Sequence, residues 1–159
     1  PITPDEILID TKMAYDKGVQ MVHIHAREIS GNNTLDKDVY AEIIGKIRKE
    51  CPGMIVCVSL TGRFKNTFEA RSDVLNLEGD LKPDMGSLTL SSLNFSSGAS
   101  VNTPEMITQL AIKMKERGIK PELEVFDVGM INYSKYLIKK GIIEPPFYYN
   151  IIYFCIFYK

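Results

Sequence analysis

The chain has 159 residues, of which 25% are charged, with a formal net charge of -1 and a mean hydropathy of -0.06. This length suits one domain, and the near-neutral charge gives no electrostatic basis for binding nucleic acid or anionic lipid membranes. The three cysteines are odd in number and form no C-x-x-C pair, which argues against a disulfide framework and favours a reducing, cytoplasmic compartment. We expect them to be small buried side chains. They are Cys51, Cys57 and Cys155.

The first predicted element is a helix. Thr3 is suited to cap it, Pro4 fits its first turn, and Glu6 completes a capping box. The helix is expected to end near Gly18, just before an apolar run that predicts a strand.

Two histidines, His23 and His25, end this apolar run, and they are the only histidines in the sequence. Residues two apart in a β-strand point the same way, so both imidazoles are expected to leave one face of the strand. Neutral imidazole is a good zinc ligand, and catalytic zinc usually has three protein ligands. The alternative, one core histidine and one polar strand end, has about even odds for an arbitrary His-x-His pair. Arg27 and Glu28, which follow, favour a site at the strand end.

Strand and helix patterns alternate along the rest of the chain with a repeat of roughly 25 to 40 residues, the size of a β-α unit. In total, five strands and five helices are predicted, and this alternation favours a parallel sheet covered by helices. The later helices are predicted at 36–49, 67–77, 103–118 and 130–140, and the later strands at 54–59, 85–90, 123–126 and from about 147, with a loop at 91–102.

Polar side chains lie at or near the C-terminal ends of four successive predicted strands. The histidine pair is followed by Ser59, Ser87 and Glu124 on the later strands. A barrel brings all strand ends to one mouth, whereas a doubly wound sheet gathers mainly those at its switch point. We therefore predict an α/β fold that forms part of a (β/α)₈ TIM barrel, about five of its eight units.

The strongest candidates for chemistry besides the histidines are on these strands. Glu124 is flanked by apolar residues and is a candidate ligand for a substrate cation or a proton carrier, whereas Glu122 is expected at the strand entrance in solvent. Asp127 is equally suited to cap the next helix. Ser59 and Ser87 offer hydroxyls for a substrate carboxylate or carbonyl.

Two arginines, Arg63 and Arg71, are candidates for contacts with anions. Arginines on loops and helices are usually solvated, and this is the default expectation for both.

Five short motifs stand in a fixed order along the chain, and together they closely resemble the β-keto acid cleavage enzyme family. The agreement runs from Pro1 to about Ile152. The motifs are HIHAR at 23–27, SLTGR at 59–63, KPDMGSL at 82–88, LNF at 93–95 and PELEVFDVGM at 121–130.

The resemblance implies a zinc-dependent barrel that condenses a β-keto acid with acetyl-CoA, giving acetoacetate and a new acyl-CoA. It implies that His23 and His25 bind zinc, and that Ser59, Ser87 and Glu124 belong to the substrate pocket. It also implies a homo-oligomer, a tetramer for the intact enzyme.

Parts of the family pattern have no match in the 159 residues. The family's first strand carries an acidic pocket residue. A downstream Arg-x-Gly-x-Glu-Asp segment carries the third zinc ligand, the base and an activating arginine. We therefore expect residues 1–152 to form a partial barrel without its first strand and C-terminal units, and residues 153–159 to form a divergent aromatic tail. No catalytic residue is expected within this chain, and a truncated or frame-shifted chain of this kind is expected to be inactive alone.

The end of the chain is unusually aromatic. Seven of its fifteen aromatic residues lie in 147–159, which predicts a buried strand that runs into an aggregation-prone end.

Two other functions remain open. An amidohydrolase-type zinc hydrolase also bears His-x-His at a barrel strand end, but such sites typically need further histidines on later strands. The other alternative is a non-catalytic fragment that associates through open sheet edges.

Overall fold

The computed structural model describes residues 1–95 and 98–153. A five-stranded parallel sheet curls into half a barrel in the order β1-β2-β3-β6-β7, and helices alternate with its strands. The sheet strands are β1 (Met21–Ile24), β2 (Ile55–Val58), β3 (Met85–Thr89), β6 (Lys120–Val125) and β7 (Tyr148–Ile151). The helices are α1 (Pro4–Tyr15), α2 (Lys37–Glu50), α3 (Phe68–Ser72), α4 (Pro104–Arg117) and α5 (Val128–Lys139).

The two faces of the sheet differ because side chains alternate along each strand. Val56, Val58, Leu88 and Leu123 belong to the apolar core. Helix residues such as Ile44 belong to the same cluster. The residues that alternate with them along the same strands are mostly polar and occupy the opposite, concave face. The partial barrel predicted from the alternation of strands and helices is confirmed.

The helix ends follow the predicted capping chemistry. Thr3 and Glu6 form the capping box of α1, and Asp127 caps α5 by accepting a hydrogen bond from the Met130 amide. Gly118 ends α4 with a φ of 65°, a left-handed conformation that glycine adopts without strain. Among the described residues, none of the helices combines the length and apolar character that crossing a membrane requires.

Three expectations need correction. The predicted loop at 91–102 contains an antiparallel hairpin, β4 (Leu93–Phe95) and β5 (Gly98–Ser100). The predicted helix at 67–77 is α3 followed by a 3₁₀ turn over Asp73–Asn76.

The final strand is not buried, because β7 pairs only with β6 among the described strands and its Ile151 is 62% exposed. The tail expected at 153–159 lies outside the described residues from residue 154 onward, and so does Cys155.

Candidate active site at the strand ends

The two histidines stand side by side at the end of β1. Their ring centroids are 5.0 Å apart and the rings are nearly parallel, with an interplanar angle of 21°. The prediction that both imidazoles leave one side of the strand is therefore confirmed. His25 follows the last residue of the strand, which brings it to the mouth of the half-barrel.

A buried carboxylate holds His23 from the other side of the concave face. Glu122 on β6 is 1% exposed, and its Oε2 lies 2.6 Å from His23 Nδ1. The same oxygen accepts a hydrogen bond from the Cys57 thiol at 3.2 Å, and Oε1 accepts one from the Asn150 amide at 3.0 Å. The expectation that Glu122 lies in solvent at the strand entrance is wrong: the curvature of the sheet carries its side chain inward, where three donors compensate its burial.

These contacts set the charges of the cluster. Burial raises the pKa of Glu122, but the hydrogen bonds from His23, Cys57 and Asn150 outweigh it and leave that pKa below its usual value. Burial likewise lowers the pKa of His23, yet the hydrogen bond and negative charge of Glu122 bring it above the ordinary value.

The second histidine is the neutral one. His25 is exposed at the mouth, but partial burial of its ring, together with the nearby positive charges of His23, Arg63 and Arg27, lowers the pKa of His25 to about 4. At neutral pH its imidazole therefore keeps a lone pair that a metal ion can use.

Beside His25 lies a cavity of about 210 Å³ that gathers all three predicted substrate-binding residues, Ser59, Ser87 and Glu124. Ser87 Oγ accepts a hydrogen bond from the Leu60 amide at 2.9 Å. The O–H group of Ser87 can therefore still donate a hydrogen bond of its own. The other lining residues are Thr61, Arg63, Thr89, Leu93, Phe95, Ser100, Phe126 and Ile152.

Glu124 has a different environment from Glu122. Its carboxylate accepts a hydrogen bond from the Thr89 hydroxyl on the neighbouring strand. Burial raises its pKa above the usual value, and the Thr89 hydrogen bond only partly opposes that effect. This carboxyl group is accordingly held ready for a cationic or hydrogen-bonding partner in the cavity.

The two candidate arginines have unlike positions. Arg63 is exposed and lies over the Phe95 ring of the hairpin, 4.8 Å from its centroid, at the rim of the cavity. Arg71 is 1% exposed and donates to Leu60 O, Asn66 Oδ1 and Asn102 Oδ1. The expectation of a solvated arginine is therefore wrong for Arg71, which ties the loop after β2 to the segment before α4.

Local sequence patterns did not predict the contributions of Phe95, Ser100 and Cys57 to the site. The hairpin supplies Phe95 and Ser100 to the cavity, although it was predicted as loop. Cys57 was expected only as a small buried side chain, but it also donates to Glu122. Cys57 pairs with His23 in the parallel register of β1 and β2, and no local sequence pattern indicated its contact with Glu122.

The donors near His23 fit a metal ion. One set, His23, Cys57 and Glu122, has ligand atoms within 4.8 Å of one another. His23 Nε2 is buried and has no hydrogen-bond partner among the described residues. An unsatisfied buried nitrogen is rare in folded proteins and is expected where an ion binds. Zinc binding by the pair His23 and His25 stays a prediction.

The chain matches the model of the family described as beta-keto acid cleavage enzyme over residues 1–156. It belongs to that family. A 3-keto-5-aminohexanoate cleavage enzyme from Acetoanaerobium sticklandii is 37% identical over 153 residues, which are 96% of this chain and 55% of the relative. A 3-oxoadipate:acetyl-CoA acetyltransferase from Cupriavidus necator is 35% identical over 144 residues, 91% of this chain and 49% of the relative. The chain thus spans about half the length of the curated relatives it matches.

Solved structures agree on the fold of this family member. The chain superimposes on a ternary complex of ObcA with a C4-CoA adduct and oxalate with a TM-score of 0.83 at 22% identity. The match covers 94% of this chain and 36% of ObcA. A five-stranded half-barrel that covers about a third of a larger chain is consistent with a partial TIM barrel.

Proposed function

We propose that this chain supplies the zinc-binding and substrate-binding half of a β-keto acid cleavage enzyme. The reaction converts a β-keto acid and acetyl-CoA into acetoacetate and a new acyl-CoA. The observation that carries the proposal is the meeting of His25, Ser59, Ser87 and Glu124 around one cavity in a chain of this family.

The residues of the cavity have complementary roles in this reaction. The Ser87 hydroxyl donates a hydrogen bond to a substrate carboxylate while the Leu60 amide fixes that hydroxyl in place. Ser59, whose side chain is 2% exposed, lies beside it and supplies a second hydroxyl. These groups orient the acid before any bond changes.

His23 and His25 would hold the zinc ion. Bound there, zinc would supply Lewis-acid polarisation of the ketone and carboxylate of the substrate. The chain contributes a neutral imidazole at His25 and, at His23, a buried Nε2 that has no partner in residues 1–95 and 98–153.

Among β-keto acids, an amino-bearing substrate suits this cavity. Glu124 lines it beside the hydroxyls of Ser59 and Ser87, and its carboxylate favours a ligand with an ammonium group. Such an ammonium would lower the pKa of Glu124 again by stabilising its carboxylate. The 3-keto-5-aminohexanoate named for the Acetoanaerobium relative is therefore the first substrate to test.

The experiment compares the 159-residue chain with a chimera. In the chimera, residues 1–152 are joined to the parts of the Acetoanaerobium relative that this chain does not match. Acetyl-CoA-dependent formation of acetoacetate is measured with 3-keto-5-aminohexanoate and with 3-oxoadipate. We expect turnover by the chimera and none by the chain alone, since no segment of residues 1–159 matches the family's base and third zinc ligand.

A matched variant tests the role of the cavity. In the chimera, Glu124→Gln should reduce kcat/KM for the amino substrate at least about tenfold, because a charge-assisted hydrogen bond contributes about 1.5–3 kcal/mol. Turnover of 3-oxoadipate should change much less. Cleavage by the chain alone would refute its inactivity, and a folded chimera without turnover would refute the function.

A further inference from the structure

Glu122 is placed so that both of its oxygens are occupied by donors from three other strands. Oε2 meets His23 Nδ1 of β1 and the Cys57 thiol of β2, and Oε1 meets the Asn150 amide of β7. An ionised carboxylate only accepts hydrogen bonds, so His23 must carry its proton on Nδ1.

That assignment decides what the other nitrogen of His23 can do. In a neutral imidazole with a proton on Nδ1, Nε2 bears the lone pair. Nε2 is the buried atom that has no partner within the described residues. The hydrogen bond to Glu122 therefore leaves the metal-binding lone pair of His23 on Nε2, the nitrogen that does not contact Glu122.

We propose that Glu122 is the positioning residue of the zinc site. It fixes the tautomer and ring orientation of His23, while Cys57 and Asn150 hold the carboxylate in place. The inference deepens the proposed function, because it assumes that zinc binds at His23. It assigns Glu122 and Cys57 to the support of the site, not to the metal itself.

The distances favour this arrangement over one in which His23, Cys57 and Glu122 all bind the ion. Ligand atoms about 2.0 Å from a tetrahedral zinc lie roughly 3.3 Å from each other. His23 Nδ1 and Glu122 Oε2 are only 2.6 Å apart, which is a hydrogen-bond distance. Outer carboxylates of this kind orient ligating histidines, and their loss typically weakens metal binding about 10–100-fold.

The first test reads the tautomer directly in the unmodified, metal-free chain. Nitrogen NMR at alkaline pH distinguishes a protonated Nδ1 from a protonated Nε2, and a His25→Gln variant assigns the two imidazoles. We expect the proton on Nδ1 of His23. A predominant Nε2–H form would overturn the proposal, and this result does not depend on zinc binding.

The second test measures zinc affinity by competition with a chromophoric chelator. Glu122→Gln keeps the shape of the side chain but presents an amide to one of the three donors, and we expect about 10–100-fold weaker binding with a larger Nε2–H population. Glu124→Gln, two residues along the same strand, removes a carboxylate that does not contact His23. It should change zinc affinity less than about threefold.

The third variant separates the two arrangements. Cys57→Ala leaves the histidines intact and should weaken zinc binding far less than Glu122→Gln. Cobalt in place of zinc should show no thiolate charge-transfer absorption. A cobalt–thiolate band would identify Cys57 as a ligand and overturn the proposal. Equal losses of zinc affinity in Cys57→Ala and Glu122→Gln would also overturn it, because the thiol is then as important as the carboxylate that it is proposed only to support. If the unmodified chain binds no zinc while His23 carries its proton on Nδ1, the zinc function fails instead.

Discussion

Glu122 and Glu124 lie two residues apart on β6 and face the same side of the sheet, but their surroundings are opposite. Glu122 receives three hydrogen bonds and has a lowered pKa. Glu124 receives one from the part of the chain that the structure describes, donated by Thr89; it also lines the open cavity and has a raised pKa.

The comparison shows that burial alone does not decide the charge of a carboxyl group. Glu122 is the more deeply buried of the two, yet its carboxyl group has the lower pKa, because its donors compensate for lost water. A fully satisfied carboxylate is suited to holding other groups in place. One with spare hydrogen-bonding capacity in a cavity is suited to meeting a ligand.

The largest expected difference between the two positions is in folding stability. Glu122→Leu would leave three buried donors without an acceptor, and we expect it to lower the free energy of unfolding by about 3–5 kcal/mol. Urea denaturation followed by circular dichroism measures this change.

Glu124→Leu is the matched control for that substitution. It leaves the Thr89 hydroxyl without its acceptor beside an open cavity. We expect the free energy of unfolding to fall by less than about 1 kcal/mol. Equal losses at the two positions would show that the two carboxylates are not held differently.

The pH dependence of stability provides an intermediate effect. The raised pKa of Glu124 means that the folded state binds its proton more tightly than the unfolded state. The stability that Glu124 contributes by binding this proton is fully present below its pKa in the unfolded state. That stability is lost as the pH rises through its pKa in the folded state. The amide of Glu124→Gln does not ionise, so this variant should gain stability relative to the unmodified chain on going from acid to neutral pH.

Urea midpoints of the two proteins across this pH range measure the gain. A difference that stays constant, or that shrinks toward neutral pH, would contradict the raised pKa. The chain without substitutions and Glu124→Gln must be compared at equal ionic strength, because surface charges also respond to pH.

The smallest effect concerns the Thr89 hydroxyl, which donates a hydrogen bond to Glu124. Thr89→Val keeps the shape of the side chain but removes its hydroxyl, and water entering the cavity can replace the lost hydrogen bond. We expect a loss of at most about 1 kcal/mol and a further rise in the pKa of Glu124. The same urea series, repeated with this variant, detects the rise as a shift of its pH profile toward higher pH.

Local patterns predicted much of the fold. Thr3 and Glu6 identify a helix start within four residues of sequence, and the spacing of His23 and His25 fixes their common side of a strand. The hairpin at 93–100 escaped prediction because its two strands have only three residues each in the described structure, too short for a clear alternation.

The candidate site was predictable only in part. Ser59, Ser87 and Glu124 all line the cavity, as the barrel prediction required. The burial of Glu122 and of Arg71 was not predicted, since the acceptors and donors that compensate their charges come from distant strands and loops.

By itself, the sequence determined the alternation of strands and helices, the pairing of the histidines on one face, and the family. Each depends on neighbouring residues or on short motifs in order. Only the tertiary structure decided which glutamate supports His23 and which faces the cavity. Glu122 is 99 residues from His23 and 65 from Cys57 along the chain. Contacts over such separations form only when the curvature of the sheet brings its strands together, and no local periodicity encodes them.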